Sequence, residues 1–230
     1  MWEDFKAQFI LNFVTEDRWH YLTDGLLVTL KITLFSVMLG LVIGFVIAFV
    51  RNIYSNTGRL PIMNFLCGLY LTVIRGTPVV VQLMIIYFVI FGSVRIDKTV
   101  TAILAFGINS GAYQAEIFRS GIQSVPKGQM EAGRSLGFSY FQTMVRIIMP
   151  QALKNVVPTL LNEVITLLKE TSVAGYIALE DLTKGGDIIR SRTYSAFMPL
   201  IAVALIYLVM VLILENLVKV IERRLKKNEK

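Results

Sequence analysis

The sequence predicts an all-α integral membrane protein with five transmembrane helices. Three observations predict it. Of the 230 residues, 55% are hydrophobic and the mean hydropathy is +0.63, above the roughly 45–50% apolar share of a soluble domain. The excess falls in long runs, the mark of membrane spans. The Lys and Arg residues between the runs are distributed unevenly, which orients a multi-span chain.

The elements follow in chain order. Met1 to Asp17 is acidic where the start of a signal peptide would be basic, so the first span is expected to serve as the insertion signal. Trp2, Phe5, Phe9 and Phe13 recur at helical spacing. Residues 1–18 therefore read as an amphipathic surface helix. The transmembrane domain is expected over 19–222 and a basic cytoplasmic tail over 223–230. Span one is Leu22 to Val50; its Gly40 and Gly44 form a Gly-x-x-x-Gly step that permits close helix approach.

Leu60 to Gly92 would be about 50 Å long as one helix, against a core of about 30 Å. Arg75-Gly76-Thr77-Pro78 interrupts it, and an arginine, a flexible residue and a missing donor together predict a break. Asn64 to Ile74 is then an interfacial helix and Thr77 to Phe91 is span two. Span three is Thr99 to Phe118, span four Pro150 to Leu168, and span five Phe197 to Val218. A polar loop, Arg119 to Met149, precedes span four, and a second, Thr171 to Ala196, precedes span five. Fourteen Lys and Arg flank the spans on one side, from Arg51 to the C-terminus, and seven on the other. The first side is expected to be cytoplasmic, which puts the N-terminus outside and the C-terminus inside.

The net charge of +7 is scattered rather than gathered on a basic, aromatic-rich face, so nucleic acid is not indicated. One cysteine and one histidine exclude a disulfide framework and a Cys/His metal site within the chain. Ionisable residues in or beside the apolar runs mark candidate functional positions. Lys31 and Lys169 have stems long enough to snorkel. Glu116 and Glu215 have Arg119 and Lys219 one turn away, so each reads either as half of a local pair or as lining of a polar route. Glu163 has no basic residue one turn away. It must be protonated and packed, or face a polar cavity, a partner or a cation. Asn109, Ser110, Gly111 and Tyr113 add small and polar groups to span three, either as glue between helices or as route lining.

The first polar loop reads Glu131-Ala132-Gly133-x-x-x-Gly137 and then runs to Pro150. Its composition suits two short helices, with Gly137 taking the positive φ that ends the first and Pro150 opening span four. This pattern, about 121–150, resembles the EAA coupling loop of bacterial ATP-binding cassette importer permeases with a five-helix core. Gly133 stands where a second alanine is usual, and Met149 where a leucine is. Arg75-Gly76-Thr77-Pro78 with Gln82, Ser110-Gly111-Ala112-Tyr113-x-Ala115-Glu116, Pro126-Lys127-Gly128-Gln129 and Lys169-Glu170-Thr171-Ser172 resemble the polar amino acid branch of that family.

The resemblance implies a type I importer permease core that is not itself an enzyme. It implies a second permease subunit, identical or paralogous, two ATP-binding subunits, and an extracytoplasmic solute-binding protein. Glu131, Ala132, Gly133, Gly137 and Pro150 would couple to the ATP-binding subunit. That partner would hold ATP and Mg; no cofactor or metal is expected on this chain, which lacks a Gly-x-x-x-x-Gly-Lys-Ser/Thr phosphate loop. The resemblance also implies a bacterial inner-membrane location. Members handling basic amino acids carry Glu at the position of Glu163, so arginine, lysine or histidine is the expected cargo. Glu163, Asn109, Tyr113 and Glu116 are the expected substrate contacts. Glutamine, cystine or another polar amino acid is the alternative cargo. An ion-gradient-driven secondary transporter would show an inverted repeat, which the sequence lacks, and an intramembrane enzyme would carry a catalytic constellation beside Glu116 and Glu163, which is also missing.

Overall fold

The computed structural model describes residues 2–227, all of them helical or connecting. The basic tail expected at 223–230 lies outside the described residues from 228 onward. The first helix, α1 (Trp2–Phe9), is exposed throughout. The turn that follows it is anchored rather than free. Asn12 is buried, donates to Gln8 O at 2.8 Å and to Ser195 Oγ at 3.3 Å, and accepts from Thr193 Oγ1 at 2.8 Å. Arg18 donates to Leu11 O at 2.6 Å.

Helix α2 (Trp19–Thr57) runs for 39 residues, about 58 Å at 1.5 Å per residue. It passes the expected end at Val50 because nothing in Arg51–Thr57 breaks a helix. Gly58 ends it, at φ +66°, with its N–H on Tyr54 O at 2.9 Å. Next come α3 (Pro61–Gly76) and α4 (Val79–Met84), the latter continued by a π turn over Ile85–Ile90. The chain bends by 108° between α3 and α4, at the expected interruption. Thr77 and Pro78 are extended there. Gln82 staples the bend: its Nε2 donates to Ile74 O at 2.7 Å, Thr77 O at 3.0 Å and Thr77 Oγ1 at 2.8 Å. The carbonyls that proline leaves without a helical donor are thus satisfied.

Helix α5 (Lys98–Gln123) starts at Asp97, whose carboxylate accepts from Thr99 N at 2.8 Å and Val100 N at 3.2 Å. Those bonds hold the Asp97 carboxyl below its ordinary value. The polar loop forms α6 (Lys127–Ser135) and α7 (Tyr140–Thr143), which runs through a π turn at Met144–Ile148 into α8 (Met149–Glu170). A 3₁₀ segment, Thr171–Ile177, leads to α9 (Leu182–Thr193), and α10 (Phe197–Lys227) closes the chain.

One buried cluster joins α2, α4, α5, α8 and the 3₁₀ segment through Ile32, Leu83, Phe106, Leu167 and Ile177. A second joins α2, α9 and α10 through Leu22, Leu182, Ile189 and Val203. Helices α2 and α5 approach closely at Gly40 and Gly44. A Cβ at Gly44 would stand 2.8 Å from Ala115 N, and one at Gly40 would stand 2.6 Å from Gln114 Nε2.

Two helices, α2 and α10, are each long and apolar enough to cross a membrane, and the bent pair of α3 and α4 makes a third candidate. Helices α5 and α8 have the length, 26 and 22 residues, about 39 and 33 Å. They are less apolar because each carries a polar face. On α8, Asn155, Thr159, Asn162, Thr166 and Lys169 recur every three or four residues and all are exposed.

Candidate functional site

Three groups of side chains carry the chemistry. The first centres on Glu163, half-buried near the middle of the α8 polar face. Its carboxylate accepts from Ser110 Oγ on α5 at 3.1 Å. Ser110 is fully buried and in turn accepts from Gln114 Nε2 at 2.9 Å, one turn further along α5. Gln114 Nε2 is also held by Val37 O of α2 at 3.4 Å. The amide of Gln114 thus fixes the Ser110 hydroxyl as donor to Glu163. No ion pair to Glu163 occurs among the described residues. The carboxylate has one neutral hydrogen bond and open capacity for a cationic partner.

The second group holds the other candidates on α5. Asn109 is buried, and its Nδ2 donates to Gln82 Oε1 at 3.0 Å. It ties α5 to the stapled bend and does not meet Glu163. Glu116 pairs with Arg119 and lies 3.8 Å from Arg75. The guanidinium of Arg75 sits 5.8 Å from the centre of the Tyr113 ring. Tyr113 and Glu116, with Arg51, Asn64, Thr72 and Arg75, line a cavity of about 870 Å³ to which α8 contributes nothing. The four expected substrate contacts therefore fall into three separate places: Glu163 with Ser110, Asn109 with Gln82, and Tyr113 and Glu116 with Arg75.

The third group is the loop. Glu131 and Ala132 are exposed on α6, and Gly133 is buried against α7. A Cβ at 133 would come within 2.5 Å of Thr143 Cγ2 and 3.0 Å of Ile147 Cδ1, which is the physical reason that glycine stands there. Gly137, at φ +86°, ends α6, with Phe138 N on Gly133 O at 3.2 Å and Gly137 N on Arg134 O at 3.1 Å. Ser139 and Gln142 then form a capping box for α7. Pro150 sits in the first turn of α8. Val125, Met144, Ile148 and Ala152 form the buried core of this knob. Its tip leaves Leu136 78% and Phe141 71% exposed, two large apolar side chains available to a partner.

At the opposite end of α8, the second loop is internally paired. Asp187 takes Lys184 at 2.9 Å and Arg190 at 2.5 Å, and both cations hold its carboxyl below the ordinary range. Asp181 caps α9, accepting from Lys184 N at 3.0 Å and Thr183 N at 3.2 Å. Burial nevertheless pushes its carboxyl up to about 6.

Sequence reasoning missed Gln114, whose only signal is its place one turn from Ser110. It also passed over Arg51 as a mere flanking charge. The remaining partners are long-range and leave no local pattern.

The family described as binding-protein-dependent transport system inner membrane component matches residues 37–227. The arginine transport system permease protein ArtQ of Bacillus subtilis (strain 168) is 40% identical over 211 residues, covering 91% of this chain and 94% of that protein. A putative glutamine transport system permease protein GlnP of Rickettsia typhi is 35% identical over 207 residues, covering 89% and 93%. A crystal structure of an amino acid ABC transporter with histidines superposes with a TM-score of 0.83 at 40% identity, covering 92% of this chain and 98% of that one.

Proposed function

The chain belongs to the binding-protein-dependent transport system inner membrane components, as an amino acid permease subunit, and from that premise we propose that its cargo is a basic amino acid, arginine, lysine or histidine, with Glu163 as the counter-ion. Permeases of this kind are not enzymes, and ATP hydrolysis belongs to a separate subunit. The observation that carries the cargo assignment is the state of Glu163: half-buried in a membrane-length helix, bonded to a neutral hydroxyl and free of any cation among the described residues. A guanidinium or ammonium entering a low-dielectric route needs a compensating anion, because an unpaired buried charge costs several kcal/mol. Ser110 supports the ionised carboxylate, and Gln114 keeps Ser110 turned toward it.

In this reading the exposed polar stripe of α8, from Asn155 to Lys169, faces the route rather than lipid. Helices α2, α4 with its π turn, α5, α8 and α10 are the five spans, and α3 lies at the interface. The N-terminus is outside, the C-terminus is cytoplasmic, and the membrane is a bacterial inner membrane. A second permease subunit, identical or paralogous, pairs with this one. Two ATP-binding subunits, holding ATP and Mg, dock on the α6–α7 knob through Leu136 and Phe141. An external solute-binding protein delivers cargo at the α9 end. The chain itself carries no cofactor.

Substituting Glu163→Gln in the complete transporter tests the cargo. Uptake of arginine, lysine and histidine is expected to fall by at least about tenfold, the equivalent of one lost charge-assisted contact, with the ATPase still assembled. Unchanged uptake of all three sinks the assignment. The relatives named for glutamine support a second reading, a neutral amide cargo. It predicts that the wild type takes up glutamine in preference to arginine.

A further inference from the structure

The cavity of about 870 Å³ between α2, α3 and α5 carries a charge imbalance. Its charged lining is Arg51, Arg75 and Glu116. An adjoining recess of about 300 Å³ shares Arg51 and Asn64 with it and adds Arg119. Three guanidiniums therefore surround one carboxylate, and that carboxylate is already engaged by Arg119. Arg51 is half-buried and makes no hydrogen bond or ion pair among the described residues. A half-buried guanidinium that meets Glu116 only as a non-bonded charge keeps unmet donors, which a further anion would satisfy.

The second observation is the wall. Phe65 and Leu69 of α3 line the same cavity, and both are more than half exposed. On α3, Ile62, Leu66, Leu69 and Val73 follow one another at three- and four-residue steps, each half or more exposed. That stripe requires hydrocarbon, and its Leu69, together with Phe65, stands in the cavity beside arginines that require an anion. A free anion satisfies only the arginines, and an apolar peptide satisfies only the stripe. A molecule with phosphate and hydrocarbon joined satisfies both, and basic recesses between membrane helices suit such headgroups.

We propose that this cavity binds one anionic phospholipid, its phosphate between Arg51 and Arg75 and its acyl chains along Phe65 and Leu69. Asn52, the neighbour of Arg51, donates to Tyr140 Oη of α7 at 3.5 Å, so the bound headgroup lies next to the joint between α2 and the knob. The inference does not depend on which amino acid is carried.

The test uses the complete transporter, stripped of lipid in detergent. It is titrated with dioctanoyl phosphatidylglycerol, with dioctanoyl phosphatidylcholine and with inorganic phosphate, and retention is read by native mass spectrometry. Phosphatidylglycerol is expected to be retained at concentrations at least about tenfold lower than either of the others. The double variant Arg51→Gln/Arg75→Gln is expected to erase that preference, and Phe65→Ser/Leu69→Ser to weaken phosphatidylglycerol while leaving phosphate unchanged. Equal retention of the two lipids, or an unaltered preference in the arginine double variant, overturns the site. Phosphate binding as tightly as phosphatidylglycerol overturns the lipid and leaves a free-anion pocket. Contact of the α3 stripe with the second permease subunit predicts that Phe65→Ser/Leu69→Ser splits the dimer instead, and that result also overturns the proposal. Should the arginine double variant not assemble, Arg51→Gln alone carries the same comparison.

Discussion

Substituting Gly44→Ala tests a close approach of α2 on α5. A Cβ there would lie 2.8 Å from Ala115 N, 2.8 Å from Gln114 Cβ and 3.0 Å from Gln114 C. Two of these atoms are backbone of a well-packed helix, so the pair must separate by several tenths of an ångström. Overpacking of this kind costs about 1–3 kcal/mol. Alanine also gains about 0.5–1 kcal/mol over glycine from helix propensity, which partly masks the loss. Gly68→Ala removes that ambiguity. Gly68 is in the interior of α3 and a Cβ there meets nothing within 4 Å, so that variant gains the propensity alone. The difference between the two variants, with propensity cancelled, is the packing cost. It is read from equilibrium unfolding of the detergent-solubilised protein in sodium dodecyl sulfate. Gly44→Ala should unfold about 1–3 kcal/mol more easily than Gly68→Ala. If the two are equal, or Gly44→Ala is the more stable, the account of the α2–α5 contact is wrong. Gly40→Ala extends the experiment, since its nearest obstacle is the movable amide of Gln114. It should change stability less than Gly44→Ala and disturb amino acid uptake more, through Ser110 and Glu163.

Other outcomes follow from the same geometry. Gly133→Val drives a side chain into Thr143 and Ile147, so α6 should lift from α7 and cargo-stimulated ATPase should fall by at least about tenfold, as for a misplaced coupling contact; full stimulation would show that the knob tolerates the shift. Asp181 has a carboxyl raised to about 6 in the folded chain, so the folded state holds the proton more tightly than the unfolded one. Its contribution to stability is complete below the unfolded value near 3.9 and is lost as pH rises through about 6. The stability difference between the wild type and Asp181→Asn should therefore change between pH 4 and pH 7, and a flat difference refutes the burial argument. Ser135→Cys in an otherwise cysteine-free chain (Cys67→Ala) should react with an impermeant maleimide only in opened cells; labelling of intact cells reverses the proposed topology.

What the sequence makes legible is local. The break at Arg75–Pro78 is visible because proline lacks a donor, and the Glu116–Arg119 pair because three residues make one helical turn. The end of α6 at Gly137 is visible because only glycine adopts φ +86° without strain. The end of α2 at Gly58 carried the same signal, but the loss of apolarity after Val50 obscured it. What stays hidden spans long stretches of chain. Ser110 reaches Glu163 across 53 residues, Asn109 reaches Gln82 across 27, and Asn12 meets Thr193 across 181. No periodicity records such pairings, because they depend on how α4, α5, α8 and α9 settle against one another. The expected substrate contacts, three on α5 and Glu163 on α8, are accordingly distributed by the fold over three neighbourhoods.

From Tyr140 through the π turn to Glu170 the chain forms one uninterrupted rod of 31 residues, about 46 Å long. Its foot is the apolar tip beside Phe141, and Glu163 stands in its upper half. A rigid shaft of that length converts one degree of tilt at the foot into about 0.8 Å of travel at the far end. Pro150, just past the π turn, and Pro158, further along the rod, each remove a rung of its ladder and make the shaft compliant at mid-length. Mechanical advantage and backlash are thus both written into a single helix, and stiffening position 158 would trade one against the other.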